Sequence, residues 1–366
     1  MRFTPEASAA LARIARVSGV RAEPPALMSA EVILELSGEA VRSRLCTFTD
    51  AGGVEHCLRP DLTTPIAQMV ATGELPVARY HGAGPVYRLP PRGSDDPVEH
   101  LQIGFEWFGN AGSVAEDAEA LAVALEAAQA GGVSSAKVRF GDVAIYHSLL
   151  AALPLSPQWR DRLRRAFSRR KGPRELLAAT AQRAGMSDAA LQIGQLSQED
   201  AEHEVKRELS RLGVESVSRS PADIARRLRE KANDPPPAAR VLEQVAAYLA
   251  LNASVADSAT ILARYAKEAE VDLGPALDAF NERVAQVARL KPPFWTDATF
   301  GAEAGRRFEY YDGFVFELAH PFSTDRPILS GGRYDGLIAR LSAGSMQASS
   351  IGAAIRADRL GRGAAK

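Results

Sequence analysis

In the segment HLQIGFEWFG, Gln102, Gly104 and Glu106 alternate along a strand-like pattern and therefore share one face. An amide and a carboxylate set among apolar neighbours are costly to bury unless something pairs with them. Pattern alone leaves two readings open. One is a structural network closed by a nearby arginine; the other is convergence on a small, polar, cationic ligand. RRFEYYDG and GGRYDG place Arg306, Tyr310, Tyr311, Arg333 and Tyr334 around strand ends, and the same two readings apply to them.

Other chemistries find less support. The six histidines, His56, His81, His100, His147, His203 and His320, form no HExxH and no other ligand pair at helical spacing, and CxxC is absent, so no metal site is expected. The glycine pairs complete neither a Walker loop nor GxGxxG after a strand, and there is no GxSxG elbow. No cofactor is expected. Arg160, Arg162, Arg164, Arg165, Arg169, Arg170 and Lys171 form a basic run interrupted by Asp161. Such a run can meet phosphates or can be a solvated helix face, and no aromatic ladder interleaves it as in a single-strand RNA platform.

The elements that must hold these residues are legible in outline. A chain of 366 residues predicts two to three domains at about 150 residues each. With 46% hydrophobic and 24% charged residues it is an ordinary globular composition, which excludes a disordered, collagenous or disulfide-built chain. The net charge of −1 supplies no global field for nucleic acid or an anionic membrane. The only cysteines, Cys46 and Cys57, fit a reducing cytoplasm. No apolar stretch approaches the roughly 20 residues of a membrane span, and MRFTPEASAALARI reads as a helix start with Thr4 as cap and Pro5 in the first turn.

Arg44 to Arg59 predicts a hairpin turning at Asp50-Ala51-Gly52-Gly53. A four-residue loop there would set Cys46 opposite Cys57. Val86–Leu89 and Glu99–Gly109 read as strands, and Ser113 to Glu116 as a capping box before a long Ala/Leu helix ending at Gly131-Gly132. From residue 143 to 290 strand signals nearly vanish. Helix starts recur at Ser156-Pro157, Ser197 and Ser220-Pro221, and Asp234 to Pro237 breaks the helical run. Strands return after Phe294. The expected organisation is an α+β domain in two pieces, 1–142 and 291–366, split by a mainly helical insertion, 143–290.

EPPALMSAE, FTDAGGVEHCLRPDLTTPIAQ, ARYHGAGPVYRLPPRGSDDPVEHLQIGFEWFG, RRFEYYDGFVFEL, GGRYDGL and SSIGAAIRADRL occur in this order. Together they resemble histidyl-tRNA synthetase and its class II relatives. The resemblance implies a class II synthetase-like antiparallel sheet flanked by helices, and a homodimer formed around Pro24 and Pro25. It also implies a histidine pocket. Asp61, where the family has Glu, and Thr63 would face the ligand's ammonium. Arg88 matches the arginine of the second class II motif. Gln102 and Glu106 match the polar pair that meets the amino-acid backbone and imidazole. Arg306 matches the arginine before the tyrosine pair Tyr310-Tyr311, with Tyr311 on the imidazole, and Tyr334 closes the pocket. Arg359 matches the third-motif arginine that faces ATP in the synthetase.

The nucleotide half departs from that pattern. Pro90 stands where the family has a Glu, and Asp95 and Asp96 put negative charge where phosphates would lie. Arg356 replaces a glycine, and seven residues follow Arg359, too few for an anticodon-binding domain. A histidine pocket without those parts resembles the regulatory subunits of ATP phosphoribosyltransferase. That resemblance implies a non-catalytic chain that activates a short-form catalytic subunit and relays histidine inhibition at the first step of histidine biosynthesis. It further implies a hetero-octamer of four regulatory and four catalytic chains, with histidine as effector and no specific binding of tRNA.

Overall fold

The computed structural model describes residues 3–361 except 38, 110–111, 169–186, 214–219, 235–236 and 306–309. In chain order the strands are β1 (Val20–Arg21), β2 (Leu27–Ser29), β3 (Thr47–Thr49), β4 (Glu55–Leu58), β5 (Arg79–Tyr87), β6 (Glu99–Gly109), β7 (Lys137–Asp142), β8 (Asn252–Ser254), β9 (Thr299–Gly301), β10 (Phe314–His320), β11 (Ser323–Arg333) and β12 (Ser349–Arg356). Among the described residues, nine of them form one sheet in the order β1-β5-β6-β12-β11-β10-β7-β9-β8. Its six central strands, β5 to β7 in that order, are antiparallel, while β1 and β9 add to them in parallel. This is an α+β fold with a mixed, mainly antiparallel sheet. The small sheet β2-β4-β3 is separate.

The pleat of β6 sorts its side chains. Ile103, Phe105 and Trp107 take one face, and Trp107 donates from Nε1 to Ser18 Oγ at 2.5 Å behind helix α1 (Pro5–Ala15). Gln102, Glu106 and Phe108 take the other. Helix α2 (Ala30–Ser37) contributes Leu36 to the core on that face, and α3 (Thr63–Ala71) contributes Ile66 and Val70. Tyr80, Phe108, Tyr310, Tyr334 and Leu337 complete it. Thr4 caps α1 by accepting from Ala7 N–H at 3.2 Å, and Ser113 caps α4 (Val114–Ala130) by accepting from Glu116 N–H at 3.1 Å. Strand β5 starts seven residues before the expected Val86, since Gly82, Gly84 and Pro85 mask it in the sequence. Pro85 is tolerated because its neighbour β1 pairs only at Tyr80 and His81.

Two details differ from expectation. The hairpin pairs Thr47 with Cys57 and closes Asp50 on Val54, so its loop has three residues, with Gly53 at a φ of 84°. The register then places Cys46 beside Leu58, not Cys57, and both thiols are free. The chain also divides elsewhere than at 143 and 290. One compact unit holds residues 1–148 and 250–366, the other 149–249. Residues 250–290 belong with the first because Arg283, on the helix Gly274–Leu290, is ion-paired to Asp117 and Asp142, and Phe280 packs on Phe140 and Phe300.

The second unit is helical among its described residues. Ser187, Ser197 and Ser220 cap three of its helices, which close on Ile193, Ala201, Val205 and Ala225. Of the basic run, Arg162 lies 4.5 Å from the Trp159 ring and 3.4 Å from Asp234. Arg169, Arg170 and Lys171 lie outside the described residues.

Candidate functional site

Glu106 is 3% exposed on β6 and opposite Gly352 on β12. Its carboxyl accepts from Thr63 Oγ1 at 2.5 Å, in the first turn of α3, and from the Tyr334 hydroxyl. A side chain at Gly352 would overlap Glu106 Oε2, so a glycine there is what lets the carboxyl lie across the sheet. Among the described residues no arginine is hydrogen-bonded or ion-paired to Glu106. Burial pushes the Glu106 pKa up to about 8 against the pull of the Thr63 and Tyr334 hydrogen bonds, with the Asp61 charge adding to the rise. At neutral pH the carboxyl is mostly protonated, and a cation placed beside it would draw out its proton.

Beside this carboxyl lie an amide, a mixed-charge pair and three phenols. Gln102 Oε1 accepts from Leu62 N–H at 2.7 Å. Asp61 Oδ1 accepts from Thr64 N–H at 2.8 Å, which holds the first turn of α3, and its Oδ2 lies 3.3 Å from Arg88 Nη2. Arg88 also donates from Nε to Pro60 O at 2.7 Å. Tyr310, Tyr311 and Tyr334 pack together, with Tyr310 4.9 Å from Tyr311 and 5.6 Å from Tyr334 between ring centroids. Burial raises the pKa of all three phenols, so they stay neutral donors. The structure thus gathers Asp61, Thr63, Arg88, Gln102, Glu106, Tyr310, Tyr311 and Tyr334 in one region. Arg306 lies outside the described residues.

Sequence reasoning passed over the groups that hold the tyrosines. Asp312 accepts from Asp335 N–H at 3.1 Å and Gly336 N–H at 2.7 Å, at the start of the helix Gly336–Leu341. Asp335 Oδ1 accepts from Ser350 N–H at 2.7 Å and from Arg333 at 2.9 Å. The signal was the repeated Tyr-Asp-Gly of YYDG and RYDG: Asp312 serves the RYDG turn, and Asp335 ties that turn to the start of β12. Behind them Arg333 reaches Asp117 at 2.6 Å and Glu116 at 3.0 Å. Among the described residues no three His, Cys, Asp or Glu side chains cluster as a metal site would require.

The sequence profile of the histidyl-tRNA synthetase family matches residues 4–234 and 222–360. An ATP phosphoribosyltransferase regulatory subunit of Agrobacterium fabrum is 32% identical over 336 residues, covering 88% of this chain and 87% of its own. This chain belongs to the family of ATP phosphoribosyltransferase regulatory subunits. A second member, from Brucella anthropi, is 30% identical over 351 residues, covering 92% of this chain and 91% of its own. The family's fold is also that of a crystal structure described as an ATP phosphoribosyltransferase regulatory subunit/histidyl-tRNA synthetase from Bacillus halodurans. That structure is 22% identical with a TM-score of 0.64, covering 99% of this chain and 81% of that one. No helix among the described residues is long and apolar enough to cross a membrane.

The Glu106 environment has a measurable consequence in this family member. Its folded pKa of about 8 lies above the ordinary 4.5, so the folded state holds a proton that the unfolded state has lost between those values. That contribution is complete below pH 4.5 and disappears as pH rises through 8, at a limiting slope of about 1.4 kcal/mol per pH unit. Melting temperatures should therefore fall across this window more steeply in the wild type than in Glu106→Gln. Parallel curves for the two proteins would show that Glu106 does not titrate in it.

Proposed function

We propose that this chain is the non-catalytic regulatory subunit of an ATP phosphoribosyltransferase in the cytoplasm. It activates a short-form catalytic subunit and binds free histidine in the Glu106 pocket, which relays feedback inhibition at the first step of histidine biosynthesis. The chains self-associate as dimers and assemble with the catalytic subunit, four of each. One observation supports this above all: the buried carboxyl and its phenol and amide neighbours can hold an imidazole and an amino-acid backbone, while Arg359 is committed to a carboxylate of its own chain.

The pocket residues then have distinct tasks. Glu106 accepts from an imidazole N–H and favours its charged form. Thr63 and Tyr334 fix the carboxyl, and Tyr311 and Tyr310 offer hydroxyls and apolar ring surface. Asp61 faces the ammonium, Arg88 the carboxylate, Gln102 the polar backbone atoms, and Arg306 completes the set. Histidine-dependent pyrophosphate exchange with ATP separates this reading from a histidine-activating synthetase. The expected result is no exchange above background. Robust exchange would make the chain an activating enzyme.

A further inference from the structure

Arg59 follows β4 directly and is 7% exposed, yet among the described residues no carboxylate is paired with it. Its donors go to main-chain carbonyls instead. Nε donates to Pro85 O at 2.9 Å, and Nη1 donates to Pro24 O. Its own main chain is engaged as well, the N–H donating to Ala26 O at 2.8 Å and the C=O accepting from Tyr87 N–H at 3.0 Å. Arg59 thereby serves the outer edge of β5 at Pro85 and Tyr87, beyond the two residues that β1 covers. Nη2 lies over Gly84, where an added Cβ would come within 2.5 Å of it. A buried guanidinium without a countercharge is costly, and burial pushes its pKa down. The strand glycine that makes room for it adds to that cost.

What this arrangement holds is the turn that comes next. Residues 60–64 reach three side chains of the pocket. Pro60 O accepts from Arg88 Nε at 2.7 Å, Leu62 N–H donates to Gln102 Oε1 at 2.7 Å, and Thr63 Oγ1 donates to Glu106 at 2.5 Å. Asp61 closes the turn by accepting from Thr64 N–H at 2.8 Å. Gly84 is the register partner of Gln102, so the guanidinium sits at the strand position beside the amide that receives Leu62. Two carbonyls and a planar fork define one orientation of Arg59, which the single ammonium of a lysine does not.

We propose that Arg59 is a positioning residue of the Glu106 pocket: by clamping Pro24 and Pro85 it sets the turn 60–64 against Gln102 and Glu106 and thereby fixes the affinity for the ligand. It acts through that turn. The inference rests on the reading of the pocket as a histidine site and adds to it a residue that the ligand contacts do not include.

Calorimetric titration of the full chain with histidine, as a double-mutant cycle, tests it. Arg59→Lys keeps the charge and should weaken binding by about tenfold. Combined with Thr63→Ala, the loss should fall short of the product of the two single losses by at least about threefold, because both changes act on one turn. A merely structural arginine would give losses that multiply. Amide exchange supplies a second readout: in Arg59→Lys the 60–64 segment should exchange faster while the helix Val114–Ala130 stays as protected as in wild type. Losses that multiply, or unchanged exchange at 60–64, would overturn the proposal. If Arg59→Lys does not fold, Arg59→Gln takes its place; failure of both to fold would make Arg59 part of the general core and overturn it equally. Histidine binding absent already in wild type would defeat the reading of the pocket and the proposal with it, whereas wild-type binding that Arg59→Lys leaves unchanged defeats only the role of Arg59.

Discussion

Glu106→Gln should weaken histidine inhibition of the mixed regulatory–catalytic complex by about ten- to hundredfold and leave activation by the chain in place. The amide keeps the shape of the carboxyl and can still accept from Thr63 Oγ1. It cannot ionise, so the charge-assisted bond to an imidazolium, worth about 1.5–3 kcal/mol, is lost. Because inhibition cannot exceed the ligand's differential affinity for two states of the assembly, a loss of this size removes most of a typical coupling of about 1–3 kcal/mol. Activation depends on assembly and should persist. Histidine titration of the complex, with a melting curve of the variant beside it, measures both. Unchanged histidine sensitivity in a stably folded Glu106→Gln protein would remove Glu106 from the site.

Arg283→Met should cost about 3–5 kcal/mol of stability. Arg283 donates from Nε to Asp117 and from Nη1 to Asp142, both at 2.6 Å, with side chains 8%, 1% and 2% exposed. Asp117 keeps Arg333 when Arg283 is removed. Asp142 retains Ala144 N–H at 2.9 Å but loses its guanidinium. Burial already holds the Asp142 pKa above its ordinary 3.8, with the Arg283 charge the chief opposing influence, so the substitution drives it higher. A carboxyl whose folded pKa is raised stabilises most below its unfolded value and loses that contribution as pH climbs. The deficit of Arg283→Met should accordingly be larger at pH 8 than at pH 4. Urea unfolding at both values decides this, and a loss below about 1 kcal/mol, as for an exposed pair, would contradict a buried network.

The strand carrying Gln102 and Glu106 was legible because period-two alternation put polar groups on a face that had to be buried. The caps at Thr4, Ser113, Ser197 and Ser220 were legible because each serine or threonine sits just before its helix. The start of β5 was not, since Gly82, Gly84 and Pro85 carry little strand signal until the short partner strand explains the proline. The attachment of residues 250–290 to the sheet was also hidden. It rests on Arg283 meeting Asp117 and Asp142, which are more than 140 positions away in sequence. For the same reason the residue types showed Asp96 only as a negative charge in a loop, and the arginine it occupies follows from folding alone. For Glu106, the sequence left a structural arginine and a ligand both open, and three dimensions were needed to show that its partners among the described residues are two hydroxyls.

The central claim is tested most directly by phosphoribosyl transfer in a reconstituted mixture. The purified chain should show no transfer from phosphoribosyl pyrophosphate to ATP. Mixed with a short-form catalytic subunit, it should raise that subunit's rate, and free histidine should lower the rate again. Transfer by the chain alone, in a preparation free of the catalytic subunit, or a mixed rate that neither rises on addition of the chain nor falls with histidine, would contradict the account.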